Sequence, residues 1–393
     1  MNKPILISGA SIAGLTLAHW LARHGFRPVV VERAAGLRAG GNGVDVRGHA
    51  AEVAERMGIM PRVRELAADV RGIKFVDAAD RAVARVSLKD VDPGTNSVEI
   101  MRGDLIALLR EVTGAEILFG DSIQGMEQDG DGVTVSFEEA PARRFDLVVG
   151  ADGLHSAVRR LAFGPEGEFI RHRDVYFAFA NADAALAEDR WVTMFNTPGR
   201  MAGVYRSGNH AQAKAYLAFR SAPLDYDHQD PSAGKRLVSD KFGDQASWRT
   251  RELLDSALAD PDFYFDACAQ VHMTSWSAGR VVLVGDAAWC PSPASGAGAE
   301  LAMVGAYRLA GELAAVPGDH RRAFSRYDAA LRPLVTARQK IGPNLALMVP
   351  RTDTGRRVRN ALVRLPLLKA ANAVDRHVQA RNTSPLPQYA AAW

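Results

Sequence analysis

The 393-residue sequence predicts an α/β protein organised around a parallel sheet. Three observations support this prediction. A strand-helix-strand pattern opens the chain, two later apolar strands each run into a glycine-containing turn and a helix, and the composition is that of a globular protein. Hydrophobic residues make up 47% of the chain and charged residues 24%, which excludes collagen-like, coiled-coil and low-complexity chains. The length predicts two or three domains.

The first element is a β-α-β unit at the N-terminus. The apolar run PILIS leads through GASIAG into a periodic apolar helix, and PVVVER follows as a second buried strand. Gly9 permits the tight turn, Ser11 leaves room for a pyrophosphate although it replaces the usual middle glycine, and Gly14 lets the helix pack closely on the sheet. Glu32 ends the second strand, where an acid accepts hydrogen bonds from ribose hydroxyls. The unit therefore predicts a nucleotide site.

Two further strand-to-turn sites occur later in the chain. FDLVVGADGLHSAVRR places Asp152 and Gly153 after a strand and before a helix, and RVVLVGDAAW places Gly285 and Asp286 in the same context. Three such sites spread over almost the whole chain must meet on one long ligand. NAD, NADP and FAD all suit the pattern, but none of the tyrosines has a lysine four residues later, as a short-chain dehydrogenase requires.

The three motifs, in this order and spacing, resemble those of the class A flavoprotein monooxygenases, the para-hydroxybenzoate hydroxylase-like group that includes the tetracycline-inactivating enzymes. The resemblance implies a doubly wound, Rossmann-like, three-layer FAD-binding domain, an inserted substrate domain on an antiparallel sheet, and a C-terminal helix that bridges the two. The expected ranges are 1–75, 98–170 and 275–330 for FAD, 76–97 and 171–274 for substrate, and 331–393 for the bridging segment.

The resemblance also implies the residues that contact the cofactor. Asp286 is expected at the ribityl chain and Arg102 at a phosphate or a flavin oxygen, whereas Asp152 has either a cofactor role or a purely structural one. Trp289, Glu300 and Gly305 depart from the usual His, Asn and Asp. The full cofactor set is Gly9, Ser11, Ile12, Ala13, Gly14, Glu32, Arg33, Arg102, Asp152, Gly285, Asp286, Pro293, Gly296, Ala297, Gly298 and Ala299.

The activity that the resemblance implies is monooxygenation by FAD, with NADPH or NADH as reductant and O2 as oxidant, through a flavin C4a-hydroperoxide. No side chain is expected to act as the catalyst, because the flavin carries the chemistry. Residues 191–206 and 213–220 predict two antiparallel strands beside an aromatic or enolic substrate, such as a tetracycline-like antibiotic or a natural product. The expected substrate residues are Asp45, Met194, Arg200, Met201, Tyr205, Tyr216, Phe219 and Pro291. A halogenase or reductase of the same fold, or a non-catalytic FAD- or drug-binding protein, remains an alternative.

The remaining features restrict partners and location. Cys268 and Cys290 are too few for a disulfide framework, and no His or Cys cluster has the spacing of a metal site. The net charge of +3 and the lack of a long apolar run predict neither nucleic-acid binding nor a membrane span. Residues 331–393 hold eleven basic and two acidic side chains, which indicates either a solvated basic surface or a surface for anionic partners. We expect a cytoplasmic monomer.

Overall fold

The computed structural model describes residues 4–37, 41–87, 97–364 and 385–389. In these ranges the strands, numbered along the chain, are β1 (Pro4–Ser8), β2 (Arg27–Glu32), β3 (Gly43–Val46), β4 (Gly72–Val76), β5 (Ala82–Ser87), β6 (Val98–Met101), β7 (Glu116–Phe119), β8 (Ile123–Gln128), β9 (Val133–Phe137), β10 (Arg143–Phe145), β11 (Leu147–Gly150), β12 (Ile170–Ala182), β13 (Trp191–Thr197), β14 (Arg200–Tyr205), β15 (Ala213–Arg220), β16 (Tyr264–Val271), β17 (Ser277–Ala278) and β18 (Val281–Leu283).

The helices in the same ranges are α1 (Ile12–Arg23), α2 (His49–Arg56), α3 (Met60–Glu65), α4 (Arg102–Val112), α5 (Ala157–Phe163), α6 (Pro231–Phe242), α7 (Thr250–Ala259), α8 (Asp286–Trp289), α9 (Gly298–Ala315), α10 (His320–Arg338), α11 (Asn344–Met348) and α12 (Asp353–Arg364). No helix in the described part of the chain is both long and apolar enough to cross a bilayer.

The first domain is built on a mainly parallel sheet with the strand order β17-β18-β11-β1-β2-β7. Its central strands are continuous apolar runs, and Ile5, Leu6 and Ile7 of β1 are fully buried, as expected for a sheet covered on both faces. Helices α1, α4 and α9 pack together, and the small antiparallel sheet of β8, β9 and β10 contacts β1 and α5. This arrangement confirms the predicted α/β class.

The second domain is a seven-stranded sheet with the order β16-β12-β15-β14-β13-β4-β5, antiparallel except where β13 runs parallel to β4. Helices α6 and α7 cover one face, where they bury residues such as Leu217, Phe219 and Phe242. The other face carries Phe177, Met194 and other apolar residues and packs against the segment around α11.

The observed elements shift two of the expected domain boundaries. The boundary after residue 75 falls inside β4, which belongs to the seven-stranded sheet, and the boundary at residue 331 falls inside α10. Residues 191–206 and 213–220, which were expected to form two strands, form three antiparallel strands, because a turn divides residues 191–206 into β13 and β14.

The C-terminal segment contacts both domains within the described residues. Helix α12 packs against β5 and β13 of the seven-stranded sheet. Residues 385–389 return to α9, where the Tyr389 hydroxyl donates to Glu312 at 2.8 Å and Leu386 is buried in the core of the first domain. The part of the expected bridge at residues 365–384 lies outside the described residues.

Candidate active site

Three turns come into contact at the carboxyl ends of β1, β11 and β18, which are neighbours in the parallel sheet. A Cβ atom built on Gly9, whose φ is +105°, would lie 2.5 Å from the carbonyl oxygen of Ala151. A Cβ on Gly285, with φ +67°, would lie 2.8 Å from the Cβ of Ala13. The turns approach so closely because these positions lack a side chain, and the three motifs therefore meet at one place on the sheet edge, which we term the cleft.

The N-terminus of α1 presents backbone amides to this cleft. A Cβ on Gly14 would lie 1.9 Å from the carbonyl oxygen of Gly9, so only glycine fits in this first turn. Ser11 is the N-cap, yet its side chain makes no capping bond; its Oγ instead accepts a hydrogen bond from Arg102 Nη2 at 3.2 Å. Amides in the first helical turn have no partner within the helix, so they can bind an anion. The expected Ile12 and Ala13 lie in this turn, where their side chains are buried.

Glu32 lies at the end of β2, beside the first turn. Its carboxylate accepts hydrogen bonds from the backbone N–H groups of Ala10, at 2.8 Å, and Ala34, at 2.9 Å. These two bonds fix its orientation, and a carboxylate can accept further bonds at its remaining lone pairs. The side chain of the next residue, Arg33, is exposed.

Asp286 is the first residue of α8 and follows the tight turn at Gly285. Its side chain is accessible to solvent, although burial raises its carboxyl pKa and Arg102 partly opposes that rise. A side chain that is exposed and also has many protein atoms around it lies on the wall of a concave surface. Asp286 therefore faces the same cleft as Arg102 and the first turn of α1.

Asp152 is used locally. One of its carboxylate oxygens accepts from the Ser156 hydroxyl at 2.5 Å and the other from the backbone N–H of Val158 at 3.1 Å. Ser156 in turn caps α5 by accepting from the N–H of Arg159. Of the two roles considered for Asp152, these bonds favour the structural one.

The loop between α8 and α9 closes one side of the cleft. Gly296 adopts a left-handed conformation with φ +60°, and its carbonyl oxygen accepts from Arg47 Nη2 at 3.1 Å. Asp45 lies beside it, since a Cβ on Gly296 would be 3.8 Å from the Asp45 carboxylate. Pro293 is exposed at the start of the loop, whereas Pro291, an expected substrate residue, is buried. The other expected loop residues, Ala297, Gly298 and Ala299, form the start of α9.

Trp289, Glu300 and Gly305, which were expected to depart from the usual residues, each have a packed or hydrogen-bonded partner in this structure. The Trp289 ring is 1% exposed and occupies the space above Gly305, where a Cβ would lie 2.7 Å from Trp289 Cζ2. Glu300 is 1% exposed and accepts two hydrogen bonds from Arg338, at 2.8 and 2.9 Å. A bulky Trp289 thus requires a small residue at 305, and Glu300 requires its arginine partner.

The seven-stranded sheet places some of the expected substrate residues near the cleft and others away from it. Met194, Met201, Tyr205 and Tyr216 lie on the face that also contacts Ala294 of the loop. Alternation along the strands directs Phe219 and Arg200 to the opposite face. Phe219 is buried there against α6, and Arg200 forms an ion pair with Asp244 at 2.7 Å. We therefore leave Phe219 and Arg200 out of the candidate substrate site.

Sequence reasoning missed three aromatic residues on the cleft face, Phe177, Phe179 and Tyr264, which lie on β12 and β16. The rings of Phe177 and Phe179 are 5.0 Å apart, and Phe179 meets Tyr216 edge-on at 4.7 Å. The alternating run VYFAFA in β12 carried this signal. Phe177, Phe179, Tyr264 and Tyr216 form a continuous surface that we call the aromatic wall.

Glu99 was also missed. It lies opposite Asp45 in the two-stranded sheet of β3 and β6 and accepts a hydrogen bond from the Tyr205 hydroxyl at 3.4 Å. Burial, reinforced by the charge of Asp45, raises its pKa to about 7. A carboxyl group that is partly protonated near neutral pH therefore adjoins the aromatic wall.

Comparisons with known proteins agree with this geometry. Residues 2–337 match the family model described as FAD binding domain. The chain is 43% identical over 342 residues to an uncharacterized protein of Mycobacterium tuberculosis, covering 86% of this chain and 92% of that protein. It is 38% identical over 347 residues to a flavin-dependent monooxygenase of Legionella longbeachae, covering 87% and 88%. The crystal structure of the tetracycline destructase Tet(51) superposes with a TM-score of 0.85 at 32% identity, covering 99% of this chain and all of that one.

Proposed function

The chain belongs to the class A FAD-dependent monooxygenases, and from this premise we propose that it uses NADPH or NADH and O2 to insert one oxygen atom into a polycyclic phenol or enol. The observation that carries the proposal is the meeting of three strand-to-helix turns with the aromatic wall across a single cleft. Such a cleft holds a long cofactor on one side and a planar substrate on the other.

The residues present fit FAD. The backbone around Gly9 and Gly14 gives a pyrophosphate close access to the uncapped amides of α1, whose dipole favours the negative charge. Glu32 would accept from the ribose hydroxyls and Asp286 from the ribityl hydroxyls. When bound, FAD would supply the redox chemistry by accepting electrons from the nicotinamide and activating O2. The protein's part is then to position the substrate and to exclude water.

The aromatic wall supports a substrate larger than a benzoate. Phe177, Phe179 and Tyr216 form an apolar surface that suits stacking or edge contacts with fused rings. Arg220, a further arginine of the same sheet, donates from Nε and Nη2 to the backbone carbonyls of Val349 and Leu345, so part of its guanidinium is already used to hold the C-terminal segment. The Tet(51) likeness adds support for a polycyclic substrate of the tetracycline kind, and biosynthetic aromatics fit the same wall.

A substrate panel tests the proposal. Purified protein carrying FAD is offered simple phenols, polyketide aromatics and tetracyclines, and both NADPH consumption and a product heavier by one oxygen atom are measured. We expect coupled product from the polycyclic compounds. Coupled product from small monocyclic acids alone would refute the large-substrate proposal, and a complete absence of NADPH consumption would favour a non-catalytic FAD- or drug-binding protein.

A pair of variants tests the location of the substrate. Phe179→Leu alters the cleft face, whereas Phe265→Leu alters the helix-covered face of the neighbouring strand. We expect the first variant to raise KM for a polycyclic substrate several-fold with unchanged FAD content, and the second to leave KM unchanged. Equal effects of the two changes on KM would contradict the assignment of the faces.

A further inference from the structure

Four side chains form a continuous hydrogen-bonded chain from the cleft to the surface. The Tyr264 hydroxyl donates to Asp266 Oδ2 at 3.0 Å, and the other oxygen of Asp266 lies 3.1 Å from His155 Nε2. His155 Nδ1 lies 3.0 Å from Glu166 Oε1. His155 and Glu166 belong to the first domain's Asp-Gly turn and the segment after α5, whereas Tyr264 and Asp266 belong to β16. The proposed function uses Tyr264 only through its ring, as part of the aromatic wall, and does not use the other three residues.

The inner end of the chain lies in the cleft. Tyr264 is 36% exposed, its ring is 5.9 Å from that of Phe177, and burial raises its pKa far above the usual range. Arg102 and Asp286, both placed at the cofactor, act electrostatically on the same hydroxyl. Because its ring contacts Phe177 and Phe179 and the residue is partly exposed, Tyr264 lies at the accessible end of the aromatic wall.

The outer end reaches solvent through Glu166, whose side chain is 35% exposed, while the Asp266 side chain is only 8% exposed. Arg159 approaches the second oxygen of Glu166 at 3.6 Å. The His228 ring stacks on His155 at 3.9 Å and takes no part in the hydrogen-bonded chain. The connection therefore crosses a buried segment between two accessible ends.

His155 is positively charged at neutral pH. Burial alone would lower its pKa, but the hydrogen bonds and charges of Asp266 and Glu166 outweigh burial and raise it to about 9. His228 lies against this cation, and burial together with the His155 charge lowers the His228 pKa. Both ring nitrogens of His155 face carboxylates, and no group of three His, Cys, Asp or Glu within the described ranges is arranged to hold a metal ion. The two carboxylates therefore stabilise a proton on His155.

The geometry points to a proton relay in which Glu166, His155, Asp266 and Tyr264 carry protons between solvent and the flavin side of the cleft. This inference rests on the proposed function, whose balance requires it: substrate, NADPH, O2 and one proton give hydroxylated substrate, NADP+ and water. A cleft that excludes water needs a path for that proton. His155 gives its Nε2 proton to Asp266 Oδ1, and the neutral carboxyl group turns and donates that proton to the Tyr264 oxygen, whose own hydroxyl proton passes into the cleft. The His155 ring then turns so that its unprotonated nitrogen faces Glu166 and takes up a proton from solvent there.

Proton uptake during reduction of bound FAD tests the relay without NADPH or substrate. Flash-generated electron donors reduce the flavin anaerobically, and two electrons plus one solvent proton give the anionic reduced flavin. A pH-indicator dye in weak buffer follows the proton, and flavin absorbance follows the electrons. In the unaltered protein we expect the two signals to coincide. In Tyr264→Phe and His155→Gln we expect the rate constant of proton uptake, followed by the dye, to fall roughly a hundredfold while flavin reduction keeps its rate. This factor is the lower end of what positioned proton transfer contributes. Added imidazole, which carries protons itself, should shorten the lag.

His228→Gln is the matched control, because it removes a stacked imidazole outside the hydrogen-bonded chain; its dye signal should keep pace with the flavin. Coincident signals in both Tyr264→Phe and His155→Gln would overturn the relay, as would an equal lag in His228→Gln. FAD content and thermal unfolding are measured for each variant, and Tyr264→Phe decides the outcome if His155→Gln loses FAD. Failure of the proposed function would appear separately, as an unaltered protein that lacks FAD or never oxidises NADPH.

Discussion

The ion pair between Glu300 and Arg338 offers the most direct test of what stabilises the loop between α8 and α9. Glu300 is 1% exposed at the start of α9, and Arg338, whose side chain is 13% exposed, binds both of its carboxylate oxygens. Arg338→Met leaves a buried carboxylate without its main partner, since the approach of Arg47 at 3.9 Å is too distant for a hydrogen bond. Breaking such a pair costs about 3 to 5 kcal/mol. For 393 residues, an unfolding entropy of about 2.1 cal/mol/K per residue converts this cost into a melting temperature lower by roughly 4 to 6 °C.

Thermal unfolding followed by circular dichroism and by flavin fluorescence measures this effect. Arg251→Met is the control, because its partner Asp255 and Arg251 itself are both more than half exposed on α7, so we expect a change within about 0.5 kcal/mol. The double change Glu300→Met with Arg338→Met should recover most of the loss, because no charge is left buried. The reasoning would be refuted if Arg338→Met melted no earlier than Arg251→Met, or if the double variant were less stable than Arg338→Met alone.

Four further predictions concern the cofactor and the histidine. Acid precipitation should release FAD into solution, since no Cys or His occupies an expected flavin position; colour retained in the pellet would contradict this. Asp286→Ala should weaken FAD binding by roughly 5- to 150-fold, the equivalent of about 1 to 3 kcal/mol for unsatisfied partners, and Arg102→Ala less, as measured by fluorescence titration. Gly14→Ala should yield protein without FAD, whereas Gly36→Ala, where a Cβ meets nothing within 4 Å, should bind it normally; equal flavin content would refute the close approach. Because the folded pKa of His155 is raised to about 9, its contribution to stability is full below about pH 6.5 and is lost as pH rises through 9. The free energy of unfolding, measured with urea between these pH values, should decline as pH rises, and His155→Gln should make this decline smaller. An equal decline in His155→Gln would contradict the charge assigned to His155.

The positions of the cofactor turns could be predicted from the sequence because each has a local geometric requirement. Gly9 needs a positive φ, Gly14 needs the absence of a Cβ, and a helix start follows each apolar strand. Parallel strands then bring their carboxyl ends to one edge, so three distant motifs could be assigned to one cleft.

The face of the seven-stranded sheet that lines the cleft could not be predicted in the same way. Both faces of the seven-stranded sheet are apolar: helices cover one face, and the other lines the cleft and packs against the C-terminal segment. Alternation along β14 and β15 therefore does not show which face lines the cleft. Phe219 and Arg200 were consequently expected in the cleft and lie on the opposite face. The dependence of Trp289 on Gly305 was equally hidden, because it arises from tertiary packing between α8 and α9 rather than from local sequence.

The interleaved strand order of the parallel sheet has a consequence for biosynthesis. Leu6 of β1 pairs with Val148, and Val148 also pairs with Val281, so five of the seven strands of the second sheet, β12 to β16, are synthesised between the adjacent strands β11 and β18. Until the ribosome has released the segment around Asp286, the nascent chain has the turns proposed for the phosphates and the ribose but lacks the residue proposed for the ribityl chain. Pairings of such long sequence separation form slowly and leave strand edges unpaired meanwhile. A ligand that binds only the completed site stabilises the folded chain by mass action, so we expect added FAD to reduce aggregation of newly made chain.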